Sequence, residues 1–176
     1  MKKDIKIAVS GKSGCGNTTV SKIIADKLGL KFINFTFRSL AQEKGITLKE
    51  VLERAATDDW WDREVDNRQI QFARGDGGCV LGSRLAIWML EEADLKVYLN
   101  ASDEIRAARI AKREGGNLET VAAFTAERDR QDHSRYLRIY NIDNDNYKFA
   151  DLIIDTNNMM PDAIARAIIA EAEKKQ

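Results

Sequence analysis

Residues 5–20 read IKIAVSGKSGCGNTTV. An alternating apolar run breaks into a turn with Gly11, Gly14 and Gly16, and a helical pattern begins at Asn17 or Thr18. Strand, loop and helix in that order make an anion cradle. Glycines let backbone N–H groups converge on phosphate oxygens with no Cβ in the way, and the helix N-terminus adds its partial positive charge at the same place. The spacing of Gly11 and Gly16 matches the phosphate-loop signature G-x-x-x-x-G-K-[ST], with Thr18 where a hydroxyl would sit on Mg²⁺. The lysine of that signature is absent, and Asn17 stands in its place.

The chain on either side predicts the frame that holds this loop. The first strand covers about residues 4–10, and the helix runs to Leu28 on the spacing of Val20, Ile23, Ile24 and Leu28, stopping at Gly29. Leu30–Phe35 predicts a second strand, and a β-loop-α-β unit of this kind closes right-handed into a parallel sheet. Helices are expected over about 37–44, over 47–56 with Thr47 and Glu50 forming a capping box, and over 60–74. A glycine-rich turn at 75–78 precedes a short buried strand, Cys79-Val80-Leu81, and a further strand follows at Leu95–Leu99. Helices over about 102–114 and 117–139, a last strand at Asp151–Asp155 and a helix from Pro161 to the end complete the series. Five short apolar strands alternating with helices predict a single three-layer α/β domain with a five-stranded parallel sheet.

Composition narrows the function classes. Lys+Arg and Asp+Glu both number 28, so no net field steers the chain onto nucleic acid, and anion binding must come from local clustering. No stretch approaches the ~18 apolar residues of a membrane span, and the N-terminal apolar run is too short for a signal peptide, so cytoplasm is the expected compartment. Two cysteines and a single histidine supply neither a disulfide framework nor four spaced zinc ligands.

In open α/β sheets ligands collect at the carboxyl ends of strands, and cations are placed there. Arg38 follows the second strand in Asn34-Phe35-Thr36-Phe37-Arg38, and Arg84 follows the third in Leu81-Gly82-Ser83-Arg84-Leu85. Two strand ends thus offer guanidinium groups to one phosphate, although a solvated first helical turn also accounts for Arg38. Arg106, Arg109, Lys112 and Arg113 lie along one helix that ends at Gly115-Gly116, and the next carries Arg128, Asp129, Arg130, Asp132, Arg135 and Arg138. Alone, the first of these reads as a solvent-facing helix paired with Asp103 and Glu114. Together, two arginine-rich helices joined by a two-glycine hinge are what a lid over a triphosphate needs.

The order GKSGCGNTT, FTFRSLA, WDREVDNRQ, VLGSRLAIWMLEEADLKVYLNAS, IRAARIAKREGG, ERDRQDHSRY and DLIIDT resembles the cytidylate kinases. It is similar in particular to their compact second type, known from archaea and some bacteria, which lacks the large insertion in the nucleotide-binding region. The similarity runs end to end, and its most specific parts are Phe37-Arg38, the turn at Arg84, and the pattern of Arg128, Asp129, Asp132 and Arg135. The resemblance implies a P-loop kinase fold and transfer of the γ-phosphoryl group of ATP to CMP or dCMP, with Mg²⁺. It implies that Gly11, Lys12, Ser13, Gly14, Cys15, Gly16, Asn17, Thr18 and Thr19 cradle the ATP phosphates, with Thr18 on the metal. Arg38 and Arg84 would grip the acceptor's phosphate, while Arg128 and Asp132 would sit on the pyrimidine nucleotide, Asp132 toward the sugar. Arg109, Arg113 and Arg135 would close onto the transferring group from a lid of about residues 103–138. Asp62, Arg63 and Asp66, within acceptor-binding helices of about 36–74, match a pattern that reads the base, and the exposed face of an amphipathic helix accounts for them equally. The partners are then small molecules, with neither nucleic acid nor membrane, and the chain is expected to work as a monomer.

Phosphoryl transfer depends on in-line positioning and on cations facing the developing charge, where one arginine is worth roughly 10³ to 10⁵ in rate. A charge-assisted hydrogen bond contributes on the order of 1.5 to 3 kcal/mol, so arginines or Lys12 can replace the missing lysine, which the second type often lacks. Many relatives also carry an acidic residue just after the third strand, where it helps organise Mg²⁺, and Gly82 stands there here. These two departures keep open a catalytically weak or inactive nucleotide-binding protein, and the shared scaffold keeps open a kinase for another small acceptor. Cys15, in an anion loop at a helix N-terminus, is expected to have a lowered pKa and to block ATP binding when alkylated. His133 reads as a solvated helix residue and Trp60, Trp61 and Trp88 as packing residues. Thr156 reads either as a turn residue or as part of the adenine end.

Overall fold

Alternation within the strands sorts apolar side chains onto two faces of one sheet. A computed structural model describes residues 4–175. Its strands are β1 (Lys6–Ser10), β2 (Lys31–Ile33), β3 (Cys79–Gly82), β4 (Leu95–Asn100) and β5 (Leu152–Asp155), all parallel, in the order β2-β3-β1-β4-β5. Ile7 and Val9 of β1, with Val97 and Leu99 of β4, face one side, where they pack against α1 (Asn17–Leu28) and α8 (Pro161–Ala172) through Val20, Ile24, Ile164 and Ile168. Ala8, Leu81 and Tyr98 face the other, beneath α4 (Trp60–Arg74) and the single turn α5 (Ala86–Met89). Burying each such Ile, Leu or Val contributes about 1.5–3 kcal/mol, so this double-sided sheet supplies the main stability of the domain.

A smaller core joins α2 (Phe37–Lys44), α3 (Leu48–Ala55) and α4 through Leu40, Val51, Trp61 and Val65. The expected capping box at the start of α3 is present. Glu50 N–H donates to Thr47 Oγ1 at 3.1 Å and Thr47 N–H to Glu50 Oε2 at 2.8 Å. The helices α6 (Asp103–Glu114) and α7 (Leu118–Tyr140) pack on each other above the sheet's carboxyl edge. One element, α5, is absent from the sequence reading because four residues show no period. It is held from outside, where Ile87 N–H donates to the buried hydroxyl of Ser10 at 3.1 Å.

From β1 the chain crosses toward β2, whereas from β4 it crosses the other way to β5. Neighbouring strands whose connections part in this manner leave a crevice beyond their carboxyl ends, and the loop that follows β1 lies there. Among the described residues no helix is long and apolar enough to cross a membrane.

Candidate active site

The loop between β1 and α1 is shaped by what presses on it. Gly14 sits at φ +85°, and a Cβ there would come within 2.8 Å of the Arg106 carbonyl oxygen, so glycine alone lets α6 lie against the loop. Arg106, read from the sequence as one cation along a helix, is only 2% exposed. Its Nη1 donates to the Ser13 carbonyl at 3.0 Å, and its Nη2 donates to Asp103 at 2.7 Å and to Asp129 at 2.5 Å. Loop, α6 and α7 therefore meet at one buried guanidinium, a role that spacing alone did not reveal.

Asn17 braces the loop. Its Nδ2 donates to the Gly11 carbonyl at 2.5 Å, while its Oδ1 is buried without a partner among the described residues. The amide thus takes the position of the signature lysine without offering a cation to phosphate. Lys12 lines the cleft, but its Nζ lies 2.8 Å from Asp145 Oδ1 on the segment after α7. Cys15 departs from expectation. Its side chain turns into the core beneath the sheet's edge, and burial raises its thiol pKa more than Arg106 and Arg109 lower it. The Lys12 backbone also lowers it, and burial still prevails.

The cleft itself encloses about 1190 Å³. Its floor is Lys12–Thr19, one wall includes Asp62, Asp66, Gln69 and Arg84, and its roof includes Arg109, Arg113, Arg128, Asp132 and Arg135. Beyond the loop it ends at Asn157, Asn158 and Met159. Asp132 is held between two guanidinium groups, accepting from Arg84 on Oδ2 and from Arg135 on Oδ1, the latter at 2.8 Å. Arg135 Nε also lies 3.0 Å from Asp62 Oδ1, an ion pair without the alignment of a hydrogen bond, so Nε and the Asp62 Oδ2 stay unbonded. Burial raises the Asp62 pKa, and Arg135 draws it partly back. Asp66 accepts a 2.6 Å hydrogen bond from the Tyr140 hydroxyl, yet burial carries its pKa up to about 6. Arg128 is exposed to the cleft, and partial desolvation, then the nearby Arg84, lower its pKa.

Several of the expected residues have other surroundings or partners in this structure. Arg38 is exposed and forms no part of the cleft wall. Arg63 also lies outside the wall. Its Nη2 donates to the Ile139 carbonyl at 2.8 Å and its guanidinium lies over the Tyr140 ring, which ties α4 to the end of α7. Arg109 grips the far side of the loop, donating to Thr156 Oγ1 at 3.0 Å, to the Thr156 carbonyl at 2.5 Å and to the Gly14 carbonyl at 3.3 Å. Thr156 is wholly buried and its hydroxyl donates to Asn100 O at 3.0 Å, so it is a structural node of this end rather than a surface turn. Arg113 lines the cleft but pairs with Glu114. His133 is half-buried, with Nδ1 2.9 Å from Asn144 Oδ1, and joins α7 to the segment that follows it rather than standing in solvent.

The donor set suits a hard divalent ion carried in on a triphosphate. Thr18 presents an exposed hydroxyl to the cleft in the first turn of α1. No carboxylate fits at the end of β3, because a Cβ on Gly82 would lie 2.6 Å from Ser21 Oγ and 2.8 Å from Ser21 Cβ. One hydroxyl, phosphate oxygens and water form the ordinary ligand set of Mg²⁺.

A parallel sheet of this order, a glycine loop leading from β1 into α1, and arginines facing that loop across a cleft define a P-loop kinase. At the level of fold, shikimate kinase from Acinetobacter baumannii matches with a TM-score of 0.66 and 19% identity over 98% of this chain and 94% of that one. The model of the cytidylate kinase-like family matches residues 6–158, and the chain belongs to that family. It is 48% identical over 175 residues to cytidylate kinase 2 of Borreliella burgdorferi, covering 97% of each chain. It is 44% identical over 167 residues to the cytidylate kinase of Pyrococcus horikoshii, covering 93% of this chain and 86% of that one.

Proposed function

We propose that this protein is a cytidylate kinase, which transfers the γ-phosphoryl group of ATP to CMP or dCMP to give CDP or dCDP. The observation that carries the reading is one continuous cleft with the phosphate loop on its floor and Arg84, Arg128 and Arg135 facing it. Two anions can meet there, a donor triphosphate over Lys12–Thr19 and an acceptor phosphate against the arginines. Family membership supports a pyrimidine nucleotide as the acceptor.

In this reading the backbone N–H groups of the loop and the N-terminus of α1 hold the donor phosphates. Arg84 and Arg128 take the acceptor phosphate, and Asp132, fixed by Arg84 and Arg135, orients the sugar. Asp62 and Asp66 face the base. Bound Mg²⁺, with Thr18 among its ligands, neutralises charge on the donor phosphates. The helices α6 and α7 act as a lid that brings Arg113 and Arg135 toward the transferring group and excludes water. Arg109 and Arg106 hold the loop carbonyls and so position the donor. Asn17 leaves a charge deficit in the loop, which Arg109 on the cleft wall offsets.

Coupled measurement of ADP formation with CMP, dCMP, UMP, AMP and no acceptor tests the reading. Turnover is expected with CMP or dCMP well above the rest. Saturable ATP binding without turnover would instead identify an inactive nucleotide-binding protein, and preference for a non-pyrimidine acceptor would identify another kinase.

A further inference from the structure

Asp62, Asp66 and Gln69 follow one another along α4 at spacings of four and three residues, which places them on one helical face, and all three line the cleft. Gln69 is 6% exposed, and its amide has no freedom to turn. Its Nε2 donates to the carbonyl oxygen of Phe35, just beyond β2, at 2.6 Å. A main-chain carbonyl can only accept, so the amide nitrogen must face it and the side chain cannot flip. Oε1 is then directed away from Phe35. No described group donates to it, and it is not among the buried side-chain atoms sealed off without a partner, so it opens on the cleft.

We infer that Gln69 is a specificity-determining residue that selects an amino-pyrimidine over a keto-pyrimidine acceptor by presenting a fixed acceptor to the group at ring position 4. The inference rests on the proposed pyrimidine nucleotide substrate and assigns its recognition to an atom. Cytosine carries an amine at position 4, which donates to Oε1. Uracil carries a carbonyl oxygen there, which meets a second acceptor and leaves both unpaired in a largely desolvated pocket. An ordinary glutamine adapts by turning its amide. The bond to Phe35 removes that option, because presenting Nε2 to the base would set Oε1 against the Phe35 carbonyl. The neighbouring Asp66 carries its hydrogen bond from Tyr140 on Oδ2, so the other oxygen adds acceptor character to the same wall. A neutral hydrogen bond whose loss strands a buried partner gives discrimination on the order of 10- to 100-fold.

The test compares kcat/KM for CMP, UMP and the 5′-monophosphate of the 2-pyrimidinone riboside, which lacks any group at position 4. It uses the wild-type protein, Gln69→Met and Gln69→Glu, with ATP affinity as the control of fold. Methionine fills the volume without a polar tip. Glutamate keeps an acceptor toward the cleft but, when ionised, cannot donate to Phe35. The wild-type protein is expected to favour CMP over both other acceptors by about 10- to 100-fold. Gln69→Met should shrink the CMP to UMP ratio at least several-fold, and Gln69→Glu should retain the preference despite lower stability. Equal losses for CMP and UMP in Gln69→Met would overturn the assignment in favour of a structural role, as would an unchanged ratio. Should Gln69→Met fail to fold, loss of the CMP preference in folded Gln69→Glu overturns it, as does equal use of CMP and the 2-pyrimidinone nucleotide by the wild-type protein. A wild-type protein that phosphorylates none of the three acceptors overturns the pyrimidine reading itself. One that prefers CMP through an unaffected Gln69→Met removes the role of Gln69 alone.

Discussion

Ser21 carries a hydroxyl that no described residue satisfies: its Oγ is buried without a hydrogen-bond partner among the described residues, in the space that a side chain at position 82 would need. A buried unpaired hydroxyl costs about 1–3 kcal/mol, whereas an apolar replacement of similar shape carries no such penalty. Ser21→Ala is therefore expected to raise the unfolding free energy by up to ~1 kcal/mol in urea titrations. Gly82→Ala should lose about 1–3 kcal/mol by overpacking, and clearly less in a Ser21→Gly background. Strictly additive losses would show that the two positions do not compete for one volume. The absence of an acidic residue at 82 was visible in the sequence, but its cause was not, because the competing atoms belong to another element. Cys15 teaches the same lesson. Its loop has the glycine spacing of a phosphate cradle, yet which side of the loop the thiol faces depends on the core below it.

Between elements, the contact of α4 with α7 lines the cleft and braces it, through the Asp66–Tyr140 hydrogen bond and the Asp62–Arg135 ion pair. Asp66 is raised from the ordinary 3.8 to about 6, chiefly by burial, against the hydrogen bond from Tyr140 and with Asp62 adding to the rise. Between those values the folded chain binds more protons than the unfolded chain. Stability contributed by the protonated carboxyl is thus present at low pH, falls as pH climbs from about 4 to about 6, and is level above that range. The change should be on the order of 1–3 kcal/mol. Asp66→Asn, which does not titrate, should flatten this part of the curve in urea titrations across pH 4 to 8, and an unaltered slope would assign it to other groups. Most elements were legible because their signals are local: the capping box at Thr47 and Glu50, the stop at Gly29, the two glycines after α6. The face that α4 turns to the cleft was half legible. The family resemblance pointed to Asp62 and Asp66, but Gln69 needed Phe35 brought beside it. Arg63 shows the limit, since its neighbour Asp62 turns inward while it reaches the Ile139 carbonyl.

For the molecule as a whole, zero net charge conceals a cleft in which three cations are held by carboxylates: Lys12 by Asp145, Arg84 by Asp132, Arg135 by Asp62 and Asp132. Incoming phosphates must exchange with or add to these partners, so binding and rearrangement are coupled. Apolar groups at the cleft wall point the same way. Leu52 of α3, Phe124 of α7 and Met160 before α8 all line the cleft while remaining 50%, 65% and 75% exposed. Moving α7 relative to α6 over two nucleotides would bury part of this surface, and Gly115 and Gly116 between the two helices, at φ +82° and +103°, have the conformational freedom to permit it. Each nucleotide at 100 times its Kd stabilises the folded chain by about 2.7 kcal/mol. For a domain of this size that corresponds to a rise in Tm of roughly 5–10 °C. If closure needs both, CMP together with a non-hydrolysable ATP analogue should raise Tm by more than the sum of the separate shifts. Phe124→Ala should shrink that excess, because the surface buried by closure is smaller. Calorimetric scans at fixed multiples of each Kd check the expectation, and purely additive shifts would mean that the two halves of the cleft bind their nucleotides independently, with α6 and α7 already where they work.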